Sequence, residues 1–431
     1  MNLRRALQLA VLTALLPVSL AAGDLWNTPV GRERIFSTLV ETFRQNYWDA
    51  YHLDWDSWAD RYRDQALSAT SRQQFDMVLR QMVRELDDDH SRWVGLTPPS
   101  SPLLESDPGD EPALGIQQGF LPGVGLVIER VFPETPAYAA GLRRGDVITR
   151  INGDDIRQGS RLETNTLLSN AIASGAVNLG IRRKLSLETV LVTPEPLSLA
   201  QLRDRPQAEM LDDATGYLFI PSFQGDDIAK DVHRLIHTLQ SQGATSLILD
   251  LRDNLGGRLG ELGLVLGAFI EGEWAEAISR NEVVWRSRYY LEANRGINVL
   301  QTPTGSAFAG DILVEPAFFT GPLAVIVSRQ NSSAGEIAAL VLQERGRATI
   351  IGEATTGNVE AVQGFTMPDG SLVFVAVANL QGVSGLDFSA GVTPDVFSSA
   401  SLHDLARGFD PPVAEALRAL KNLPFTPGKF F

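Results

Sequence analysis

The sequence predicts a multidomain α/β protein: an N-terminal helical cap, a β-rich module, and an α/β layered core. Three observations carry this. Apolar residues Ile35, Leu39, Phe43 and Tyr47 recur at helical spacing near the start. A stretch rich in Pro, Ser, Asp and Gly over 97–112 interrupts the pattern. From about Thr215 short apolar runs alternate with helical segments, as in layered α/β domains. With 431 residues and 44% hydrophobic content, the chain has material for two or three cores.

Residues 1–22 read as a signal peptide. Arg4 and Arg5 supply positive charge, Ala6 to Ser19 an apolar stretch, and Ser19-Leu20-Ala21 a small-residue cleavage site. The expectation is an exported protein, periplasmic, in the cell envelope or secreted. The apolar run is short for a membrane span, and no later segment approaches one, so no stable span is expected after cleavage. The formal charge of −15 becomes −17 without Arg4 and Arg5, which argues against nucleic acid as a partner. The absence of cysteine excludes disulfides, thiol catalysis and cysteine-ligated metals. Five histidines remain and none forms a His-Glu-x-x-His pattern, so neither metal nor cofactor is expected. His233 and His237 share a helix face and read as solvated.

The first domain, 23–96, continues with a second periodic segment, Phe75, Val78, Leu79, Met82 and Leu86; an all-helical cap is the simplest reading. Trp93 is expected to pack that cap. The next domain, 113–196, offers a strand over Gly125–Val131, a short helix Pro136–Gly141 ended by glycine, and a strand from Asp146 into an Asn152-Gly153 turn. The succession Thr135-Pro-Ala, Ala140-Gly-Leu, Gly145-Asp and Ile151-Asn-Gly resembles a PDZ domain of the bacterial protease type. That resemblance implies capture of an extended C-terminus by strand addition, with the terminal carboxylate in the loop Leu114-Gly115-Ile116. An ordinary turn at these residues remains the alternative.

The third domain, 197–431, contains the candidate chemistry. Strand-like runs fall at Gly216–Ile220, Ser246–Leu251 and Leu323–Ser328, helical segments at Ile228–Leu239, Gly260–Phe269 and Ile337–Gln343, and Leu372–Leu380 is expected to complete the α/β domain. Asn331-Ser332-Ser333-Ala334-Gly335-Glu336 joins a strand to a helix. A hydroxyl at such a junction lies beside helix N-terminal N–H groups able to stabilise an oxyanion. Taken alone, Ser333 with Glu336 three residues later equally fits a capping box. Asp250-Leu-Arg252-Asp-Asn254-Leu-Gly256-Gly257 supplies glycines that turn backbone N–H groups towards a substrate, or simply a strand-to-helix turn with a surface Arg.

Together with Gly346-Arg-Ala, Ile351-Gly-Glu-Ala-Thr-Thr-Gly357 and Gly391-Val-Thr-Pro-Asp395, these motifs resemble the C-terminal processing, or tail-specific, proteases of the S41 family. The resemblance implies a ClpP/crotonase-like peptidase core acting on a polypeptide substrate. It places the nucleophile on Ser333 and oxyanion donors on Ala334 and on Gly256 or Gly257, with Arg252 and Glu336 as supporting residues. One position departs. The family's lysine base falls on Asn358, and no lysine occurs between Lys230 and Lys421.

A base must then come from elsewhere, because an unassisted serine is too weak an acid to attack an amide. Asp88-Asp89-His90-Ser91 resembles the Asp-x-His-Ser/Thr segment of the tricorn-like branch, which implies His90 as base and a glutamate, here Glu360, to orient it. Ser91 would relay or cap. A helix-terminal histidine behind an acidic run is the plainer account of His90. The readings carried forward are an exported serine endopeptidase with a Ser333–His90–Glu360 triad, a catalytically inactive S41-fold protein binding peptides or apolar ligands, and a hydrolase of non-peptide esters.

Overall fold

The computed structural model describes residues 22–88, 90–96, 112–198 and 205–422. The leader expected over 1–22 lies, but for its last residue, outside them, as does nearly all of the predicted 97–112 linker. Among the described residues no helix is long and apolar enough to cross a membrane.

Three helices, Pro29–Asn46, Trp55–Leu67 and Arg72–Arg84, open the described chain. Thr28, Asp54 and Ser71 cap them through side chains that accept helix N-terminal N–H groups. Their apolar faces meet around Phe36, Phe43, Trp58 and Phe75, with the edge-on ring pairs Phe43–Trp58 and Trp55–Trp58. The cap is not a separate all-helical unit. Its core includes Met367, Val373, Val375 and Ala376, and its last segment, Arg92–Gly95, is a strand pairing antiparallel with Leu372–Gln381. Trp93 packs as expected, 3% exposed, its indole donating to Asp76.

The PDZ-like module is a sheet ordered Ile116–Leu121, Gly125–Val131, Val147–Ile151, Val177–Arg183, Ser186–Val192. Leu126, Ile128, Ile148 and Ile181 face its helix Arg161–Ala173 through a core shared with Leu168. The opposite face, Val127 and Val147, packs on Leu402 and Leu405 of the C-terminal helix Leu402–Ala406.

The third domain is built on a six-stranded sheet in the order Gln207–Met210, Thr215–Phe219, Ser246–Asp250, Leu323–Val327, Thr349–Gly352, Val396–Phe397. All neighbours are parallel except the first pair. The strand Leu323–Val327 is buried on both faces, which explains its unbroken apolar run. Helices Ile228–Ser241, Leu259–Leu266 and Ala334–Glu344 cover one face, and Pro411–Asn422 packs on the other.

A second sheet is antiparallel, and Leu372–Gln381 lies in it. This strand pairs with the cap strand Arg92–Gly95, with Glu360–Thr366 and with Gly272–Ser279, beyond which Glu282–Glu292, Arg295–Gln301 and Ala307–Val314 continue. This sheet physically joins the cap to the core.

Candidate active site

Ser333 occupies the junction of strand Leu323–Val327 and helix Ala334–Glu344 with φ 53° and ψ −128°. A non-glycine residue in this region is strained and persists only where its surroundings hold it. They do: the Ser333 N–H donates to Asn358 O at 2.7 Å, and its carbonyl accepts from Glu336 and Ile337. Its side chain makes no capping bond. Glu336 does not reach back to close a capping box either. Fully buried, it accepts the N–H groups of Gly357 at 2.8 Å and Asn358 at 2.9 Å. Glu336 thus holds the loop whose next carbonyl holds Ser333.

The glycine turn lies against this junction. A Cβ on Gly256 would fall 2.7 Å from Ser333 Cβ and 2.9 Å from Ala334 N, so only glycine permits the approach. Gly256 and Gly257 have φ of 95° and 146°. Asn254, fully buried, organises the turn. Its Oδ1 accepts the Gly256 N–H at 2.8 Å, its Nδ2 donates to Ile220 O, and its carbonyl accepts from Ser332. The Gly256 amide is therefore occupied. Among the described residues, the amides of Gly257 and of Ala334, the first residue of its helix, take no hydrogen-bond acceptor.

His90 comes to the same region from the cap. Its Nδ1 lies 3.0 Å from Glu360 Oε2, with both side chains largely buried. Burial opposes ionisation of Glu360, but the hydrogen bond from His90, two backbone N–H groups and the nearby imidazole outweigh it and hold the carboxyl below its ordinary value. Glu360 begins the strand Glu360–Thr366, two residues beyond the Asn358 carbonyl that anchors Ser333. A cleft of about 380 Å³ adjoins this segment, walled by Tyr47, Asp49 and Asp88 on one side and by Thr356, Asn358 and Glu360 on the other.

The other sequence-predicted residues fall as follows. Ser91 Oγ accepts the Ala376 N–H at 3.0 Å, pinning the His90 segment to the sheet. Among the described residues, Arg252 makes no hydrogen bond to the helix Ala334–Glu344. It chelates Asp250 and pairs with Asp410 at 2.9 Å, and Asp410 also takes Arg144 of the PDZ-like module, so the arginine fastens the strand end to the C-terminal segment and its neighbour domain. In the loop Leu114-Gly115-Ile116 the first two carbonyls accept from Ala137 and Phe132, and Gly115, at φ 80°, presses on Thr135. Asn254 and Asp88 were not singled out from the sequence, although Asn254 stands inside the Asp-Leu-Arg-x-Asn-x-Gly-Gly motif. His233, expected in solvent, is 1% exposed; its Nε2 donates to Leu264 O and its Nδ1 accepts the Ala317 N–H.

With this geometry, comparison with known proteins is decisive. The profile of peptidase family S41 matches residues 214–398, that of the PDZ domain 104–193, and that of the tricorn protease C1 domain 31–84. The core of the chain, residues 214–398, is a peptidase family S41 domain. Carboxyl-terminal-processing peptidase 2 of Arabidopsis thaliana chloroplasts is 29% identical over 349 residues, 78% of this chain and 63% of that protein, so the chain spans under two thirds of that relative. The carboxyl-terminal-processing protease of a Picosynechococcus strain is 28% identical over 406 residues, covering 91% of this chain and 90% of its own. A crystal structure from Bacteroides fragilis assigned to the S41 proteases superposes with a TM-score of 0.56 at 19% identity, over 90% of this chain and 97% of that one, a likeness of fold. The chain thus has a helical region, a PDZ domain and the peptidase core in the order its sequence predicts.

Proposed function

We propose that this chain is an exported serine endopeptidase that receives polypeptide segments through its PDZ domain and cleaves them by acyl transfer through Ser333. The observation that carries the reading is the strained Ser333, side chain uncapped, beside the unoccupied amide of Ala334. Strain of this kind, retained by the Asn358 carbonyl and the first turn of the helix, suits a nucleophile more than a helix cap. The relatives' names, carboxyl-terminal-processing peptidases, point to the same reaction class, and a C-terminal tail is the substrate the PDZ domain fits.

In this mechanism Ser333 Oγ attacks the scissile carbonyl carbon as its proton passes to Nε2 of His90. Glu360, bonded to Nδ1, selects the tautomer whose Nε2 accepts and stabilises the imidazolium that results. The oxyanion is held by the N–H groups of Ala334 and Gly257, with Gly256 assigned to the turn because Asn254 occupies its amide. Collapse expels the amine, which takes its proton from His90, and a water repeats the sequence on the acyl-enzyme. Replacement of the family lysine by Asn358 is accommodated because the base arrives from the cap.

The test is labelling by a serine-directed fluorophosphonate together with turnover of a peptide library. The parent should label and cleave, with a burst of acyl-enzyme, and Ser333→Ala should do neither. A folded parent that neither labels nor cleaves would favour the inactive binding protein. Peptide turnover by Ser333→Ala equal to the parent would remove the nucleophile assignment.

A further inference from the structure

The proposed base rests on a loop, and a loop needs something to fix it. We propose that Asp88 is the positioning residue for His90, its carboxylate accepting the backbone N–H groups of His90 and Ser91 so that the imidazole meets Glu360. This inference rests on the reading of His90 as the base.

The last turn of helix Arg72–Arg84 still takes the N–H groups of Glu85, Leu86 and Asp87, and the chain leaves the helix there, before His90. Asp87 stands at φ 56°, which turns the backbone out of the helix direction. Asp88 Oδ1 then takes the His90 N–H at 3.0 Å and also the Ser91 N–H. One oxygen thereby closes a side-chain-to-backbone turn around the histidine, leaving its ring free to bond Glu360. The next residue is fixed in turn: Ser91 Oγ accepts from Ala376, and the carbonyl of Ala376 accepts the Trp48 N–H at 3.0 Å. The cap, the His90 segment and the antiparallel sheet are thus tied at consecutive points. The second oxygen of Asp88 is buried in the wall shared with Tyr47. Burial, then the Asp88 charge, raises the Tyr47 hydroxyl well above its ordinary range, so the phenol keeps its proton beside that oxygen.

A residue acting through hydrogen-bond acceptance is replaceable by one that accepts equally. Asp88→Asn keeps an Oδ1 for both N–H groups, whereas Asp88→Ala keeps none. Both variants are made with His90→Ala as reference, and each is followed by kcat and KM on a peptide substrate, by fluorophosphonate labelling rate and by circular dichroism. Asp88→Ala should lose kcat by about a hundredfold with little change in KM, the cost of misplacing a reacting group by about 1 Å. Asp88→Asn should recover most of it. Parent-like turnover in Asp88→Ala, with His90→Ala inactive, would overturn the assignment. Should the alanine variant fail to fold, the asparagine variant decides alone: folded with parent-like kcat it supports the proposal, and folded but as slow as His90→Ala it overturns it. Full activity of His90→Ala would instead remove the underlying base assignment, a separate result.

Discussion

Replacing Glu336 by glutamine changes one atom in the residue on which the nucleophile's geometry depends. The carboxylate is fully buried and accepts two amides, Gly357 at 2.8 Å and Asn358 at 2.9 Å. Hydrogen bonds to a charged acceptor contribute about 1.5–3 kcal/mol each, and a neutral one about 1 kcal/mol. Glutamine has a single acceptor oxygen, so one N–H keeps a neutral bond and the other faces an NH2 group. The net loss is about 2–5 kcal/mol, felt first by the loop around Gly357. Because the Asn358 carbonyl holds the Ser333 N–H at 2.7 Å, release of that loop lets the strained serine relax. Turnover should then fall by about a hundredfold, and fluorophosphonate labelling should slow in parallel. A stopped assay on a fluorogenic peptide and a thermal melt of the same preparation measure both consequences. An E336Q variant that melts and turns over like its parent would refute the dependence of Ser333 on this loop.

Three further outcomes are expected. Gly256→Ala places a Cβ 2.7 Å from Ser333 Cβ at a φ of 95°, so labelling should be lost, whereas Gly305→Ala, with φ 90° in open space, should cost only about 1–2 kcal/mol of backbone strain and leave activity intact. Glu360→Gln keeps a hydrogen-bond acceptor for the ring but removes the charge that stabilises the imidazolium; kcat should fall on the order of 10²- to 10⁴-fold with KM unchanged, and an unaltered kcat would remove Glu360 from the triad. His233, buried with Nδ1 accepting an amide, is held below its ordinary value chiefly by burial. Its depressed folded value means that the unfolded chain binds the extra proton first, so the stability is complete above about pH 6.5 and declines as pH falls towards the folded value, by up to about 1.4 kcal/mol per pH unit. Urea unfolding from pH 7.5 to 5.5 should show that slope, and His233→Gln, able to donate to Leu264 and accept from Ala317, should flatten it.

The legible parts of the sequence are those whose physics is local. Ser333, Ala334 and the Gly256-Gly257 turn sit at strand-to-helix junctions, where a short run of residue types already fixes the backbone. The parallel strands are apolar throughout because both faces are buried, which makes Ser246–Asp250 and Leu323–Val327 plain to read. The four strands between Gly272 and Val314 escaped because their exposed and buried residues alternate irregularly, with register shifts in two pairings and many polar positions. Leu372–Gln381 was legible as a strand but not in its partners, since pairing with residue 92 is a matter of topology. The i,i+4 spacing of His233 and His237 conceals that one faces Leu264 and the other the surface. Asp88 was lost in an acidic run, Asp87-Asp88-Asp89, where only the fold distinguishes the carboxylate that turns inward.

The departure from the family's lysine is best understood through what the segment 356–360 does. Its backbone supplies the Asn358 carbonyl to Ser333 and the amides of Gly357 and Asn358 to Glu336, and its strand carries Glu360 to His90. The first two functions are main-chain bonds and are indifferent to the side chain at 358. A lysine at 358 would therefore be needed only for its amine, and in the proposed mechanism the imidazole of His90, oriented by Glu360, takes over that proton transfer. In that mechanism the proposed base and nucleophile lie on different parts of the fold, joined through one antiparallel sheet. Contacts tying the cap to that sheet, such as Trp48 and Ser91 on Ala376, thereby acquire a catalytic consequence although none touches substrate.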